Sequence, residues 1–124
     1  GDIAKAASTD DTIVLLDPGR YPGNFTLTAE RVLVFGAWSP IDGQRSTIEG
    51  DVTVRGGGNR LRGVKIIGKL TCNANNFSAA FCDFGSAEIT GNGVSLLRNR
   101  FTVGQAKVPS SNAVLVDNEN LPAK

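Results

Sequence analysis

Val52-Thr53-Val54, Leu70-Thr71-Cys72 and Ala87-Glu88-Ile89 decide the fold, because one apolar-polar-apolar pattern recurs at an almost constant interval along the chain. A period of two is the strand signature, and Gly and Asn break these strings too often for helices. Working outward, Ile48, Ile66, Phe84 and Phe101 recur at the same interval, and so do Leu61, Ala79 and Leu96. The offset inside each copy is also fixed, since Val54 to Leu61, Cys72 to Ala79 and Ile89 to Leu96 are equally spaced. Val114-Leu115-Val116 is read as a further string of the same kind, with Leu at the middle position.

Gly56-Gly57-Gly58-Asn59, Asn73-Ala74-Asn75-Asn76 and Gly91-Asn92-Gly93 separate the strings, and both residue types tolerate the left-handed backbone of tight corners. Short strands and corners repeated at one period describe a coil stacked on its neighbours, an all-β solenoid. Such a stack predicts three interior columns: Ile48, Ile66, Phe84, Phe101; Val52, Leu70, Ala87, Val114; and Val54, Cys72, Ile89, Val116. Thr47, Lys65, Asp83 and Arg100 form an outward column of alternating charge, mildly favourable across neighbouring strands. Asn75 and Asn92 share a corner and suggest a short amide ladder. Two stretches, about residues 37–45 and 104–112, read as inserted loops on the outside of the stack.

The chain has 124 residues, 40% of them hydrophobic and 20% charged, the composition of one globular domain. Thirteen basic residues against twelve acidic ones, scattered rather than clustered, argue against nucleic acid as a partner. Fifteen glycines are an excess for which the corners account in large part. With no histidine, His-based acid–base chemistry and His-ligated metals are excluded. No apolar run is long enough for a membrane-spanning helix, so no membrane insertion is expected. Cys72 and Cys82 lie in apolar-alternating segments and read as buried free thiols. Asn24-Phe25-Thr26 and Asn76-Phe77-Ser78 are two glycosylation sequons, a pattern too short to carry weight.

The reading is one domain over residues 1–124, with an N-terminal cap at about 2–8, where Ile3-Ala4-Lys5-Ala6-Ala7 forms a short amphipathic helix. Ala113 to Val116 is still a good strand close to the C-terminus, and an open strand edge invites association. The expectation is a homotrimer or flanking domains at that end, the module being cut from a longer protein.

Ile3-Ala4-Lys5-Ala6-Ala7, Asp11-Thr12-Ile13-Val14-Leu15-Leu16-Asp17-Pro18-Gly19-Arg20-Tyr21 and Gly23-Asn24-Phe25-Thr26-Leu27 together resemble the opening of the pectin-lyase-like right-handed parallel β-helix superfamily. Leu61-Arg62-Gly63-Val64-Lys65-Ile66 and Leu96-Leu97-Arg98-Asn99-Arg100-Phe101 are similar to that superfamily's coil repeat. The resemblance covers nearly the whole chain and implies a right-handed parallel β-helix of about five short coils with a capping helix. Its members include pectate lyases, polygalacturonases, pectin esterases, phage tailspikes and tail fibres, and surface adhesins, so it implies polysaccharides or cell surfaces rather than one activity. A left-handed hexapeptide helix ranks below it, because apolar residues do not recur every six positions.

The chemistry of the enzymatic members is not matched. Polygalacturonase-like hydrolysis needs aspartates with a histidine, and lyase-like cleavage needs a carboxylate cluster holding calcium. Glu49, Asp51, Asp83 and Glu88 fall in different columns, and Asp83 has Lys65 and Arg100 as stack neighbours, the setting of a salt-bridged surface residue. No catalytic residue, metal site or cofactor is assigned. Sugar binding calls for an exposed aromatic beside polar groups: Trp38, Asp42, Gln44 and Arg45 in the first inserted loop, and Tyr21 in the first turn, are the candidates. The competing role for Trp38 is to fold back over Phe35 and cover apolar surface. Thr26, Thr53 and Thr71 share an outward column, but it breaks to Glu88 and Leu115, so an ice-binding array is not formed. The functional expectation is a non-catalytic scaffold module of a tailspike, tail fibre or adhesin that contacts polysaccharide at a virion or cell surface. The alternatives are a reduced polysaccharide lyase or hydrolase, and a free-standing small solenoid.

Overall fold

The computed structural model describes residues 2–103, 107–108 and 113–119. The chain winds as a parallel β-solenoid of about five turns. Each turn carries one strand of a six-stranded sheet: β1 (Ile13–Leu15), β4 (Leu33–Phe35), β7 (Arg60–Arg62), β9 (Ser78–Ala80), β11 (Ser95–Leu97) and β13 (Val114–Val116). The rest of each turn builds a bent seven-stranded sheet. One limb holds β2 (Gly19–Pro22), β5 (Ser46–Glu49) and β12 (Arg100–Phe101), and the other β3 (Phe25–Leu27) and β6 (Val52–Val54). The long strands β8 (Lys65–Cys72) and β10 (Asp83–Ile89) run through both limbs.

The repeat read from the sequence is the register of the stack. Ile48 pairs with Ile66, Ile66 with Phe84 and Phe84 with Phe101, all at most 1% exposed. The Phe84 and Phe101 rings stack with centroids 5.5 Å apart, and burying one such side chain is worth roughly 2–3 kcal/mol. Val52, Leu70 and Ala87 form the second column, and Val54, Cys72 and Ile89 the third. The fourth members differ from expectation. Val114 pairs with Ser95 and Val116 with Leu97, on the other sheet, and both point outward at 60% and 41% exposure while Leu115 between them packs on the core. An apolar-x-apolar string shows its period but not which phase faces inward when all three residues are apolar. Lys107, which bridges Glu88, occupies the position assigned to Leu115 beside Glu88. Lys107 and Val114 are both in ladder register, with Glu88 and Ser95 respectively. Residues 104–106 and 109–112 of the expected second loop lie outside the described residues.

The corners obey a rule that composition hides. Asp11, Arg31, Gly58, Asn76 and Gly93 each sit two residues before a strand of the six-stranded sheet and all have φ between 54° and 71°. Gly63, Phe81, Arg98 and Asp117 repeat this at the next corner, with φ from 53° to 69°. Left-handed backbone costs a side-chain-bearing residue about 1–2 kcal/mol. Interactions between stacked corners offset it, since Arg31 pairs with Asp11 and Arg98 lies 3.8 Å from Asp117. The Arg31 bond holds the Asp11 carboxyl below its ordinary pKa. The expected Asn75–Asn92 ladder is instead a side-chain-to-backbone bond, with the Asn92 amide N–H donating to Asn75 Oδ1 at 3.0 Å. The amide stack that does form is buried elsewhere: Asn99 Nδ2 donates to Asn118 Oδ1 at 3.1 Å.

The N-terminal expectation holds. Helix α1 (Ile3–Ala6) is capped by Asp2, whose side chain accepts from the Lys5 N–H, and it buries Ile3 and Ala7 against the first coil. Cys72 and Cys82 are free and buried.

Candidate functional site

The first coil joint that departs from the repeat is the loop from Ala37 to Arg45, between β4 and β5. Ser46 pins its neck. Fully buried, it accepts the Ala37 N–H on Oγ at 2.9 Å, and its hydroxyl donates to Asp17 O at 2.8 Å. Above the neck the loop closes as a small hairpin in which Trp38 and Arg45 form an antiparallel bridge, and the Ser39 N–H donates to Gln44 O at 2.7 Å. Gly43 takes φ 74° at the tip. The Asp42 carboxylate accepts the Gln44 N–H at 2.9 Å, and this bond, with one from Ser39, holds its pKa below the usual carboxylate value.

Trp38 is not folded over Phe35. It stands 61% exposed, and the Arg62 guanidinium, 5.7 Å from the ring centroid, covers Phe35 instead. Residues directly opposite on an antiparallel pair project to the same side, so the indole and the Arg45 side chain leave the hairpin together. Arg45 then reaches across the stack, donating to Asp83 Oδ2 at 2.8 Å and to Phe81 O at 2.9 Å. Asp83 is thus salt-bridged as expected, but by the loop rather than by its stack neighbours. Lys65 has no carboxylate partner among the described residues, and Arg100 pairs with Glu119 at 3.0 Å.

Gln44 and Arg45 line a recess of about 240 Å³ together with Arg20, Gly43, Thr47, Lys65 and Ile67. Of the residues singled out from the sequence, Trp38, Asp42, Gln44 and Arg45 therefore share one loop, and two of them reach the recess. Tyr21 does not join them. In register with Ile48, it heads the interior column, packs partly buried against the core, and donates its hydroxyl to Asp17 O at 2.8 Å. It lines a separate hollow beneath α1 with Ile3, Ala6 and Leu16. Arg20, Thr47, Lys65 and Ile67 are site residues that the sequence reading does not single out. The outward column already holds Thr47 and Lys65. Arg20 heads that column, but the inserted loop lengthens the coil between it and Thr47, which conceals its place.

The recess carries three cations. Arg20 is paired with Glu49 and Arg45 with Asp83, which leaves the Lys65 ammonium as the group open to an incoming acceptor. Around it stand the Gln44 amide, which both donates and accepts, and the Thr47 hydroxyl, which donates to Arg45 O at 3.1 Å. Such a set can bind a polyhydroxylated ligand by hydrogen bonds, and the exposed Trp38 ring stands on the same loop outside the recess lining. Among the described residues no three His, Cys, Asp or Glu side chains converge as metal ligands, and no helix is long and apolar enough to cross a membrane. Comparison with family models, with curated proteins and with solved structures finds no significant match to this chain.

Proposed function

We propose that this chain is a non-catalytic scaffold module of a virion spike, fibre or cell-surface adhesin, whose stack holds the loop from Ala37 to Arg45 against polysaccharide. One observation carries the reading: an exposed tryptophan stands on a hairpin that is pinned at its neck by Ser46 and tied to the stack by Arg45. An exposed ring on the loop that also lends Gln44 and Arg45 to the recess suits a sugar, because the ring face stacks on carbon while the polar groups of the recess bond hydroxyls. The likeness of the opening residues to the pectin-lyase-like superfamily supports the same ligand class and a surface setting.

The test is binding of the isolated domain to a panel of acidic and neutral polysaccharides, with product analysis of each mixture. The expected result is binding without chain cleavage, weakened about tenfold by Trp38→Ala, the equivalent of about 1.4 kcal/mol. Cleavage of any polysaccharide would establish the lyase or hydrolase alternative. Absence of binding across the panel would leave a solenoid without a glycan ligand and sink the proposal.

A further inference from the structure

The outer face of the six-stranded sheet is not the polar surface that strand alternation ordinarily leaves to water. Its two outward columns read Ile13, Leu33, Arg60, Ser78, Ser95, Val114 and Leu15, Phe35, Arg62, Ala80, Leu97, Val116. Ile13, Leu15 and Val114 are 66%, 76% and 60% exposed. The apolar residues are bulky in the first two strands and at the last, while the middle is stepped: two arginines on β7 precede the small Ser78 and Ala80 on β9. A recess of about 380 Å³ lies at that step, lined by Phe35, Arg60, Arg62, Ser78 and Ala80 among others. No carboxylate pairs with Arg60 or Arg62 among the described residues, and the Arg62 guanidinium lies between the Phe35 and Phe81 rings, 4.9 Å from the centroid of the latter.

We propose that this face is a self-complementary interface on which a second copy of the chain docks, related by a two-fold axis that runs parallel to the strands between β7 and β9. An isologous contact brings one patch against itself, and only two in-plane axes do so with the strands aligned. With the axis along the solenoid, each strand meets its own counterpart, so Arg60 of one copy faces Arg62 of the other and four guanidiniums crowd at one level. With the axis along the strands, the order of coils reverses and every step is matched. Arg60 then faces Ser78 of the second copy and Arg62 faces Ala80, so arginine fills the recess. Leu33 and Phe35 face Ser95 and Leu97, and Ile13 and Leu15 face Val114 and Val116. Arg60, Arg62 and Leu33 oppose small residues, Phe35 meets Leu97, and apolar residues meet at both ends, close to the alternation a packed interface requires. Charge favours this axis over the other, because the arginine pairs of the two copies are then offset by one strand, ~4.8 Å, instead of meeting face to face.

Six strands ~4.8 Å apart, three residues long at ~3.3 Å each, give with their margins about 300–450 Å² per copy. A standard interface buries about 800 Å² per partner. Association is therefore weak and reversible, a monomer–dimer equilibrium with a dissociation constant in the range of ~0.1–1 mM.

The pair Leu15–Val116 tests the geometry, because within one chain these residues lie at opposite ends of the sheet and cannot reach each other. Sedimentation equilibrium from ~10 μM to ~2 mM should show wild-type dimer growing with concentration. Leu15→Lys and Val116→Glu, both at exposed positions, should each be monomeric throughout while keeping the wild-type circular dichroism spectrum. Mixed in equal amounts, the two variants should dimerise again, since Lys at 15 then faces Glu at 116 across the axis. The double variant alone should dimerise as well. A wild type that stays monomeric at ~2 mM overturns the interface. Dimers that survive either single variant, or single variants that do not rescue each other, overturn the axis.

Discussion

Arg45 and Asp83, far apart in sequence, are joined by a 2.8 Å ion pair that passes over an intervening coil. Asp83 belongs to the fourth turn and Arg45 leads into the second, so the guanidinium bridges the level at which Lys65 stands. Both side chains are about a quarter exposed, so solvent screens the pair less than it would at the open surface. The same guanidinium satisfies Phe81 O, at a corner residue whose φ is 56°. Arg45→Ala should lower the unfolding free energy by about 1–2 kcal/mol. Urea titration of the two single variants and the double variant with Asp83→Asn gives the coupling energy; a value near zero would mean the tie contributes nothing to the loop.

Asn59 and Asn99, each 1% exposed, are buried amides in a largely apolar interior. Asn59 accepts the Val32 N–H at 2.8 Å and donates to Ala29 O and Gly56 O, so one side chain satisfies three backbone groups at two levels. Asn99 likewise accepts the Cys82 N–H at 3.0 Å and donates to Ala79 O. Removing the amide leaves buried backbone groups unpaired, at about 1–3 kcal/mol each. Asn59→Ala should therefore cost about 3 kcal/mol in chemical denaturation, well above Asn75→Ala at an exposed corner. Equal losses at the two positions would contradict this account.

At Gly91 two turns approach too closely to admit a side chain. A Cβ there would overlap Ala74 O of the coil before it, and backbone cannot yield as a flexible side chain would. Gly57, in the corner cluster of an earlier turn, has nothing nearer than Asn75 O at 3.6 Å and an ordinary φ. Gly91→Ala should destabilise by about 2–3 kcal/mol, the scale of overpacking, whereas Gly57→Ala should be neutral or gain up to about 1 kcal/mol by restricting the unfolded chain. Thermal melts of the pair decide it. Similar melting shifts would show that the coils can part at Gly91.

Where the repeat runs unbroken the sequence carries the register: Ile48, Ile66, Phe84 and Phe101 keep an almost constant spacing because each turn has the same number of inward positions. It fails where spacing or polarity loses contrast. Val114-Leu115-Val116 has no polar residue to set its phase, so the sequence alone puts its inward member outside. Tyr21 and Arg20 lie across the lengthened coil from Ile48 and Thr47, which hides one in the interior and the other beside the recess. Gly and Asn mark several corners, yet Arg31, Phe81 and Arg98 adopt the same left-handed backbone. Stacked neighbours impose that conformation, and no local composition announces it. The loop from Ala37 to Arg45 is legible from its excess length, but the tie from Arg45 to Asp83 is not, because a contact between coils two levels apart has no period.

The Cys82 thiol supplies a pH dependence with a definite sign. Burial pushes its pKa up from 9.0 to about 11, with hydrogen bonds from backbone groups of the corner opposing the rise. The native state therefore holds the proton more tightly than the unfolded chain. Stability from this source is fully present below pH 9.0 and is lost as pH rises through about 11. The difference corresponds to about 3 kcal/mol over that window. Cys82→Ser would exchange the thiol for another polar group, so Cys82→Ala is the cleaner variant. It should start less stable at pH 7 because of the small cavity, by about 1 kcal/mol, and show a shallower decline between pH 9 and 11. Urea midpoints across that range, with Cys72 unchanged in both proteins, measure the difference. Parallel declines for wild type and Cys82→Ala would mean that the thiol ionises alike in the folded and unfolded chain.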